Sequence, residues 1–300
     1  MSGRTWNDPA FRLDFLGIGA GKSGTTWLAD VLRLHPDVFI PATKELIYFN
    51  RDIAFTEVEP NYRYGKPLDW YHAHFKGQRP GQIAGELSPT YLVHANSAAD
   101  IHAYNPDIRL VAILRDPLRR SFSQFQYFQA KAFIPETDFA SAVKARPYLI
   151  EESFYGRQLE PYLDRFPREQ LLVLFHDDLK RDPRAFYHRV TRFLGVRDFF
   201  PEGLENPSNE TRDTRLPGLN KAINAARMFI HHRGLQRLLP LLRRTGVVPF
   251  AEAVRDRFNT RPATRTALPP EVEREYRGIF RADVELTERL LGVDLTHWKG

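Results

Sequence analysis

The stretch Asp14-Phe-Leu-Gly-Ile-Gly-Ala-Gly-Lys-Ser-Gly-Thr-Thr-Trp-Leu28 predicts a short buried strand, a glycine-rich turn and the first turns of a helix. Gly19, Gly21 and Gly24 let the main chain turn tightly and approach a ligand, aiming N–H groups inward at a helix N-terminus, where the macrodipole favours an anion. Lys22 adds a mobile positive charge, and Ser23, Thr25 and Thr26 add hydroxyl donors. An ordinary strand-to-helix turn needs none of this coincidence of glycines, Lys-Ser and Thr-Thr, so the stretch points to a phosphate-like group. The nucleoside-triphosphate loop G-x-x-x-x-G-K-[ST] would place its first glycine at position 16. That position is Leu16, and Gly17 leaves the loop one residue short. A shorter loop embraces a smaller or differently placed group.

Outward from this loop, apolar residues at Trp27, Leu28, Val31, Leu32 and Leu34 have the spacing of a helix with one buried face, ended by His35-Pro36. A short strand is expected at 38–40, an amphipathic piece at 69–75 and a strand at 82–87 that runs into Ser88-Pro89-Thr90-Tyr91. The strand at 109–114 leads into Arg115-Asp116-Pro117, and proline suits the first position of the helix that follows. A helix at 151–166, a strand at 170–175 and a helix at 183–194 closed by Gly195 complete the pattern. Strands alternating with helices imply an α/β fold around a mostly parallel sheet, with ligands outside the carboxyl ends of the strands. From Pro217 onward the sequence suggests helices and no strand, including an amphipathic helix at 271–291.

Three hundred residues suffice for one large α/β domain or two small ones, and one domain over 1–300 with a helical C-terminal part from about 217 is the economical parse. The chain has no cysteine, which excludes disulfides, thiolate metal sites and cysteine nucleophiles. Its first apolar run, 15–20, is too short for a signal peptide or a membrane span, so a soluble, cytoplasmic protein with a bacterial-type lack of targeting is expected. The net charge of +6 favours an anionic partner. No zinc-ligand spacing, RNP-type motif or helix-turn-helix signature supports nucleic acid. Residues 218–250 hold six Lys/Arg, two His and no acid among apolar residues, the composition of a solvated basic face, an acceptor lid or a peripheral membrane contact.

Two strand-turn-helix units now belong together. The one at Lys22 and the one at Arg115-Asp-Pro-Leu-Arg-Arg-Ser-Phe-Ser123 reach the same sheet edge if the strands are parallel, and both present cations and hydroxyls. Arg115 with Ser123 could bind a second phosphate through a guanidinium fork and a hydroxyl.

Lys22-Ser-Gly-Thr-Thr-Trp27 resembles the 5′-phosphosulfate loop of sulfotransferases that use 3′-phosphoadenosine-5′-phosphosulfate (PAPS), and Arg115 with Ser123 resembles their 3′-phosphate pair. The closing stretch from Leu268-Pro-Pro-Glu to Thr296-His-Trp298 is similar to the tail of bacterial members, so the likeness covers nearly the whole chain. It implies a P-loop-like, three-layer α/β fold with a helical C-terminal extension, PAPS as co-substrate and 3′,5′-ADP as product, with no metal. On that resemblance Lys22, Ser23, Gly24, Thr25, Thr26 and Trp27 hold the 5′ end, with Lys22 near the oxygen bridging to the sulfuryl group. Arg115 and Ser123 grip the 3′-phosphate. Tyr155, in Phe154-Tyr-Gly156, and Arg212, in Asn209-Glu-Thr-Arg212, resemble the adenine-side segment and a late loop over the nucleotide.

Lys44-Glu45-Leu-Ile-Tyr-Phe49 resembles the Lys-Glu-Pro-His-Phe-Phe segment of glycan sulfotransferases, whose glutamate takes the acceptor proton. A hydroxyl attacking sulfur must lose its proton, and a carboxylate serves if burial raises its pKa. Glu45 is therefore the expected base, followed by His72, His74 and Glu86. Leu87 stands where the Glu-Lys-Ser/Thr-Pro motif has lysine, and Ile47 replaces a histidine. Both departures weigh against a highly anionic, heparan-like acceptor and leave a neutral sugar, a glycolipid or a small hydroxylated metabolite equally open. A P-loop kinase, which needs an acidic Mg²⁺ ligand after a buried strand, and a non-enzymatic anion-binding or membrane-surface module are the competing readings.

Overall fold

A computed structural model of the chain describes residues 8–51, 61, 63–131, 133–204 and 268–300, together with the backbone of 212–214 and 260–262. The basic segment 218–250 lies outside the described residues, and Arg212 is described by its backbone alone. The chain forms two compact units: Met1–Ser121 with Ile150–Asn209 and Glu273–Gly300, and Phe122–Leu149 with Glu210–Val272.

In the first unit the strands β1 (Phe15–Gly19), β2 (Val38–Phe39), β3 (Ile83–Leu87), β4 (Arg109–Leu114) and β5 (Leu171–Phe175) form one sheet in the order β2-β3-β1-β4-β5. Every pairing is parallel. The described helices are α1 (Thr25–Leu34), α2 (Leu68–His72), α3 (Ala95–Tyr104), α4 (Pro117–Ala130), α5 (Phe139–Ala145), α6 (Tyr148–Glu151), α7 (Tyr155–Leu163), α8 (His176–Arg181), α9 (Pro183–Leu194) and α10 (Pro270–Leu291).

The strands read as near-continuous apolar runs because both faces of a parallel sheet are covered. Val111 and Ile113 pack with Trp27, Leu28, Val31 and Leu32 of α1 and with Phe186, Val190 and Leu194 of α9. Leu110, Ala112 and Leu114, also buried, fall on the opposite face by strand alternation. Local signals set the helix ends. Asp182 accepts from the Ala185 amide at 2.9 Å, Pro183 opens α9, and Gly195 closes it in the left-handed region at φ 68°.

This order makes β1 a switch point. From β1 the chain builds one side through β2 and β3, then returns to build the other through β4 and β5. The carboxyl ends of β1, β3, β4 and β5 share one edge, which brings together the glycine loop, Glu86 to Tyr91, Arg115 and His176. Ligands of open parallel sheets bind in the crevice at such a point.

The second unit holds an aromatic cluster in which Phe122, Phe125 and Phe139 stand 5.6–5.9 Å apart, and Asp138 caps α5 at 2.9 Å. Two expectations are corrected. A strand does occur after Pro217: β7 (Thr260–Pro262) pairs antiparallel with β6 (Arg212–Thr214). Three residues are too few to display an alternating pattern, and the partner is distant in sequence. The helix expected at 151–166 is the shorter α7, and Glu152 and Ser153 before it turn inward to Arg120 and Ser121 instead of joining it. The C-terminal helix forms as expected, and its Asp283 accepts from the Gly156 and Arg157 amides, which anchors the start of α7.

Candidate active site

The glycine loop is fixed from below and from one side. The Ala20 amide donates to Ile113 O on β4 at 2.9 Å. Gly24, at φ 101°, precedes α1, and no side chain caps that helix. A Cβ at Gly24 would lie 2.6 Å from Leu179 Cδ2, so this position needs glycine for both its dihedral and its space. The first amides of α1 have no intrahelical acceptor, and Ser23 Oγ beside them is buried with no hydrogen-bond partner among the described residues.

Two arginines from the segment after β4 grip the loop by its carbonyls. Arg115 Nη1 donates to Lys22 O at 3.0 Å and Arg120 Nε to Gly21 O at 3.1 Å. Arg120 is 1% exposed and pairs with the equally buried Glu152. These arginines are close enough to act on Lys22, whose pKa falls to about 8, first through burial and then through Arg120, Arg115 and Lys44. Burial also lowers the Arg115 pKa. Such a crowd of cations is costly in the free protein and is relieved by an anion.

Glu45 lies on the loop after β2, and Lys44 ties it to the glycine loop. Lys44 Nζ donates to Thr26 Oγ1 at 2.6 Å and pairs with Glu45 Oε1 at 3.3 Å. The burial asked of a base is absent, since the Glu45 side chain is 42% exposed. Its main chain, by contrast, is held tightly. Glu45 and Ile47 both have positive φ, 57° and 44°, a region that costs a non-glycine residue about 1–3 kcal/mol. Arg63 Nη1 donates to Glu45 O at 2.6 Å, Asn61 Nδ2 to Ile47 O at 2.5 Å, and Ser88 Oγ and Tyr91 Oη accept from the Ile47 and Tyr48 amides, each at 2.9 Å.

The other expected residues fall into different settings. Thr25 is buried at the start of α1. The Trp27 indole belongs to the core, with its ring edge-on to Phe186 at 6.0 Å and its Nε1 donating to Leu204 O, which leaves its main chain beside the loop. Tyr155 is buried near Arg115 and Arg120, its hydroxyl has no partner among the described residues, and burial pushes its pKa up to about 12. Ser123 sits on α4 and belongs to the second unit. His72 is a core histidine, bonded to Tyr104 Oη at 3.0 Å and drawn down to about 4 by burial. His74 packs edge-on against Trp70 at 4.8 Å. Glu86 is enclosed, 1% exposed, with both oxygens occupied by protein donors.

Several contributors carry no signal of their own in the sequence. Arg120 is one of two adjacent arginines, and only the spacing that puts it one helical turn inside from Asp116 separates it from the exposed Arg119. His176 follows β5 at the same edge, its Nδ1 is buried without a partner among the described residues, and its pKa falls to about 3 through burial, with Arg115 and Lys180 adding to the effect. Asp116, the residue a kinase would offer to a metal, is already engaged: Oδ1 accepts from the Arg119 amide at 3.0 Å and Oδ2 from Arg277 at 3.2 Å.

A parallel sheet with a phosphate-type loop at its switch point and arginines facing that loop defines a class of group-transfer proteins. Residues 13–207 match the family described as the sulfotransferase domain, and the chain belongs to that family. It is 32% identical over 188 residues to mouse heparan sulfate glucosamine 3-O-sulfotransferase 3B1, covering 60% of this chain and 45% of that protein. It is 30% identical over 193 residues to human heparan sulfate glucosamine 3-O-sulfotransferase 5, covering 60% and 52%. The chain thus spans about half the length of the curated relatives it matches. The solved sulfotransferase of Alicyclobacillus acidocaldarius shares the fold, with a TM-score of 0.70 at 23% identity over 97% of this chain and 100% of that one.

The buried pair under the loop makes a stability prediction. Glu152→Leu strands the Arg120 charge and is expected to cost about 3–5 kcal/mol in urea unfolding, and Arg120→Met combined with it recovers most of that loss. A double variant as unstable as the two single changes added together would contradict this account of the pair.

Proposed function

We propose that the protein moves a sulfuryl group from PAPS to a hydroxyl, or an amine, of a carbohydrate, glycolipid or small-molecule acceptor. The observation that carries this reading is the bridge Thr26–Lys44–Glu45, which sets a carboxylate beside the loop that holds Lys22. The names of its relatives support a carbohydrate acceptor. Leu87 and Ile47, in place of a lysine and a histidine, favour a less anionic one.

The residues fit a nucleotide with phosphate at both ends. Ser23 Oγ, Tyr155 Oη and His176 Nδ1 are buried polar atoms without partners among the described residues, on the sheet edge that carries Lys22, Arg115, Arg120 and Lys44. Within the first unit, Lys22 and the segment Ser23 to Trp27 would hold the 5′ end and Arg115 the 3′-phosphate, with Tyr155 flanking the nucleotide. PAPS supplies the activated sulfuryl group. Glu45 takes the acceptor proton as the new O–S bond forms, and Lys22 stabilises the charge left on the phosphate oxygen as the old S–O bond breaks. Bound nucleotide and acceptor would cover the exposed Glu45 carboxylate and give it the burial that a base requires.

Two measurements test this function. Labelled PAPS is offered with heparan sulfate or 4-nitrophenyl β-D-glucopyranoside as acceptor. Glu45→Gln is expected to lower transfer about 100-fold or more and to keep 3′,5′-ADP affinity, whereas unchanged turnover removes Glu45 as base. The second uses pH. Lys22 loses its proton near pH 8 in the free protein, and an anion prefers the protonated form. Affinity for 3′,5′-ADP is therefore expected to hold between pH 7 and 8 and then to fall by up to about tenfold per pH unit. Lys22→Gln should bind more weakly and lose that slope; a slope unchanged in Lys22→Gln would place the nucleotide elsewhere.

A further inference from the structure

We infer that Glu86 is a positioning residue for the Glu45 loop, acting with Ser88 and Tyr91 as a clamp that fixes three consecutive amides. This inference rests on the reading of Glu45 as base. The Leu46 amide donates directly to Glu86 Oε2 at 3.3 Å. The Ile47 amide donates to Ser88 Oγ at 2.9 Å, and the Ser88 hydroxyl donates its single hydrogen to Glu86 Oε2 at 2.8 Å. The Tyr48 amide donates to Tyr91 Oη at 2.9 Å, and the Tyr91 hydroxyl donates to Glu86 Oε1 at 2.5 Å. Tyr71 Oη supplies the fourth donor, to Oε1 at 3.1 Å.

The chemistry of a hydroxyl explains why one carboxylate governs all three bonds. Ser88 and Tyr91 each carry one O–H hydrogen, and by accepting it Glu86 turns their lone pairs toward the loop amides. An ionised carboxylate accepts at both oxygens and donates at neither, so every hydroxyl around it must point inward. The loop needs such a hold because Glu45 and Ile47, on either side of the directly bonded Leu46, both occupy the left-handed region without being glycine. A β-branched residue at φ 44° persists only where its surroundings fix it. Burial pushes the Glu86 pKa up, and hydrogen bonds from Tyr91, Ser88, Leu46 and Tyr71 oppose that shift. A carboxylate this enclosed has no open face for an acceptor hydroxyl. Its contribution reaches the chemistry through the loop, and a misplacement of about 1 Å in a reacting group can cost 100-fold in rate.

The test uses the full chain and two readouts. Amide hydrogen exchange in the ligand-free protein needs no acceptor. Leu46, Ile47 and Tyr48 should be protected, and in Glu86→Gln, whose amide turns at least one donor toward this network, they should exchange at least about tenfold faster while β1 and β4 amides are unchanged. Unaltered protection at 46–48, or equal loss in β1 and β4, would overturn the clamp. If Glu86→Gln does not fold, Ser88→Ala removes one link and should speed exchange at Ile47 alone; no change there would count equally against it. The second readout is a double-mutant cycle on labelled transfer from PAPS to heparan sulfate or 4-nitrophenyl β-D-glucopyranoside. Glu86→Gln should lower kcat about 10–100-fold with KM for PAPS within twofold, and Glu45→Gln/Glu86→Gln should be no slower than Glu45→Gln alone. Additive losses would mean that Glu86 acts other than through Glu45. Full activity of Glu45→Gln by itself would instead remove the base reading, and hydrogen exchange would still decide the clamp.

Discussion

Lys22, Arg115, Arg120 and Lys44 share the space beside one glycine loop, and the rest of the first unit is arranged to keep them there. Taking these charges out of water and setting them beside one another is costly, and the Lys22 pKa falls first through burial and then through Arg120, Arg115 and Lys44. The parallel sheet bears it by placing β1 and β4 side by side, so that the Arg115 and Arg120 guanidiniums find the Lys22 and Gly21 carbonyls. Glu152 neutralises the deepest of the four from α6–α7.

The same sheet edge carries an acidic counterpart with different rules. β3 ends in Glu86, and its buried carboxylate is surrounded by hydroxyls and an amide rather than by cations. Glu45, one loop away, meets Lys44 and otherwise faces outward. The Arg115 and Arg120 cations, from the segment after β4, and the Glu45 and Glu86 carboxylates, from the segments after β2 and at the end of β3, thus lie on opposite sides of β1. Lys44 joins the two through Thr26.

The parts of this arrangement that depend on local backbone chemistry were legible in the sequence. Gly24 before a helix, Pro117 after a buried strand and Gly195 at a helix end each announce a conformation that few other residues adopt. The order of strands and helices followed from apolar periodicity. The parts set by distant contacts were not legible. β7 is too short for any pattern, the Glu152 pairing partner Arg120 is more than thirty residues away, and the enclosed state of Glu86 depends on Tyr71 and the Leu46 amide from two other segments. Glu45 stood out through family resemblance rather than through its residue type, and the structure adds what the resemblance lacked, a strained loop pinned at three amides.

The proposed function requires the short loop and its arginines to receive a nucleotide phosphorylated at both the 5′ and 3′ ends. Isothermal calorimetry comparing 3′,5′-ADP with ATP plus Mg²⁺ tests it most directly. Tight binding of 3′,5′-ADP is expected, with weak or absent binding of ATP plus Mg²⁺; tight binding of ATP with none of 3′,5′-ADP would rule out such a nucleotide site.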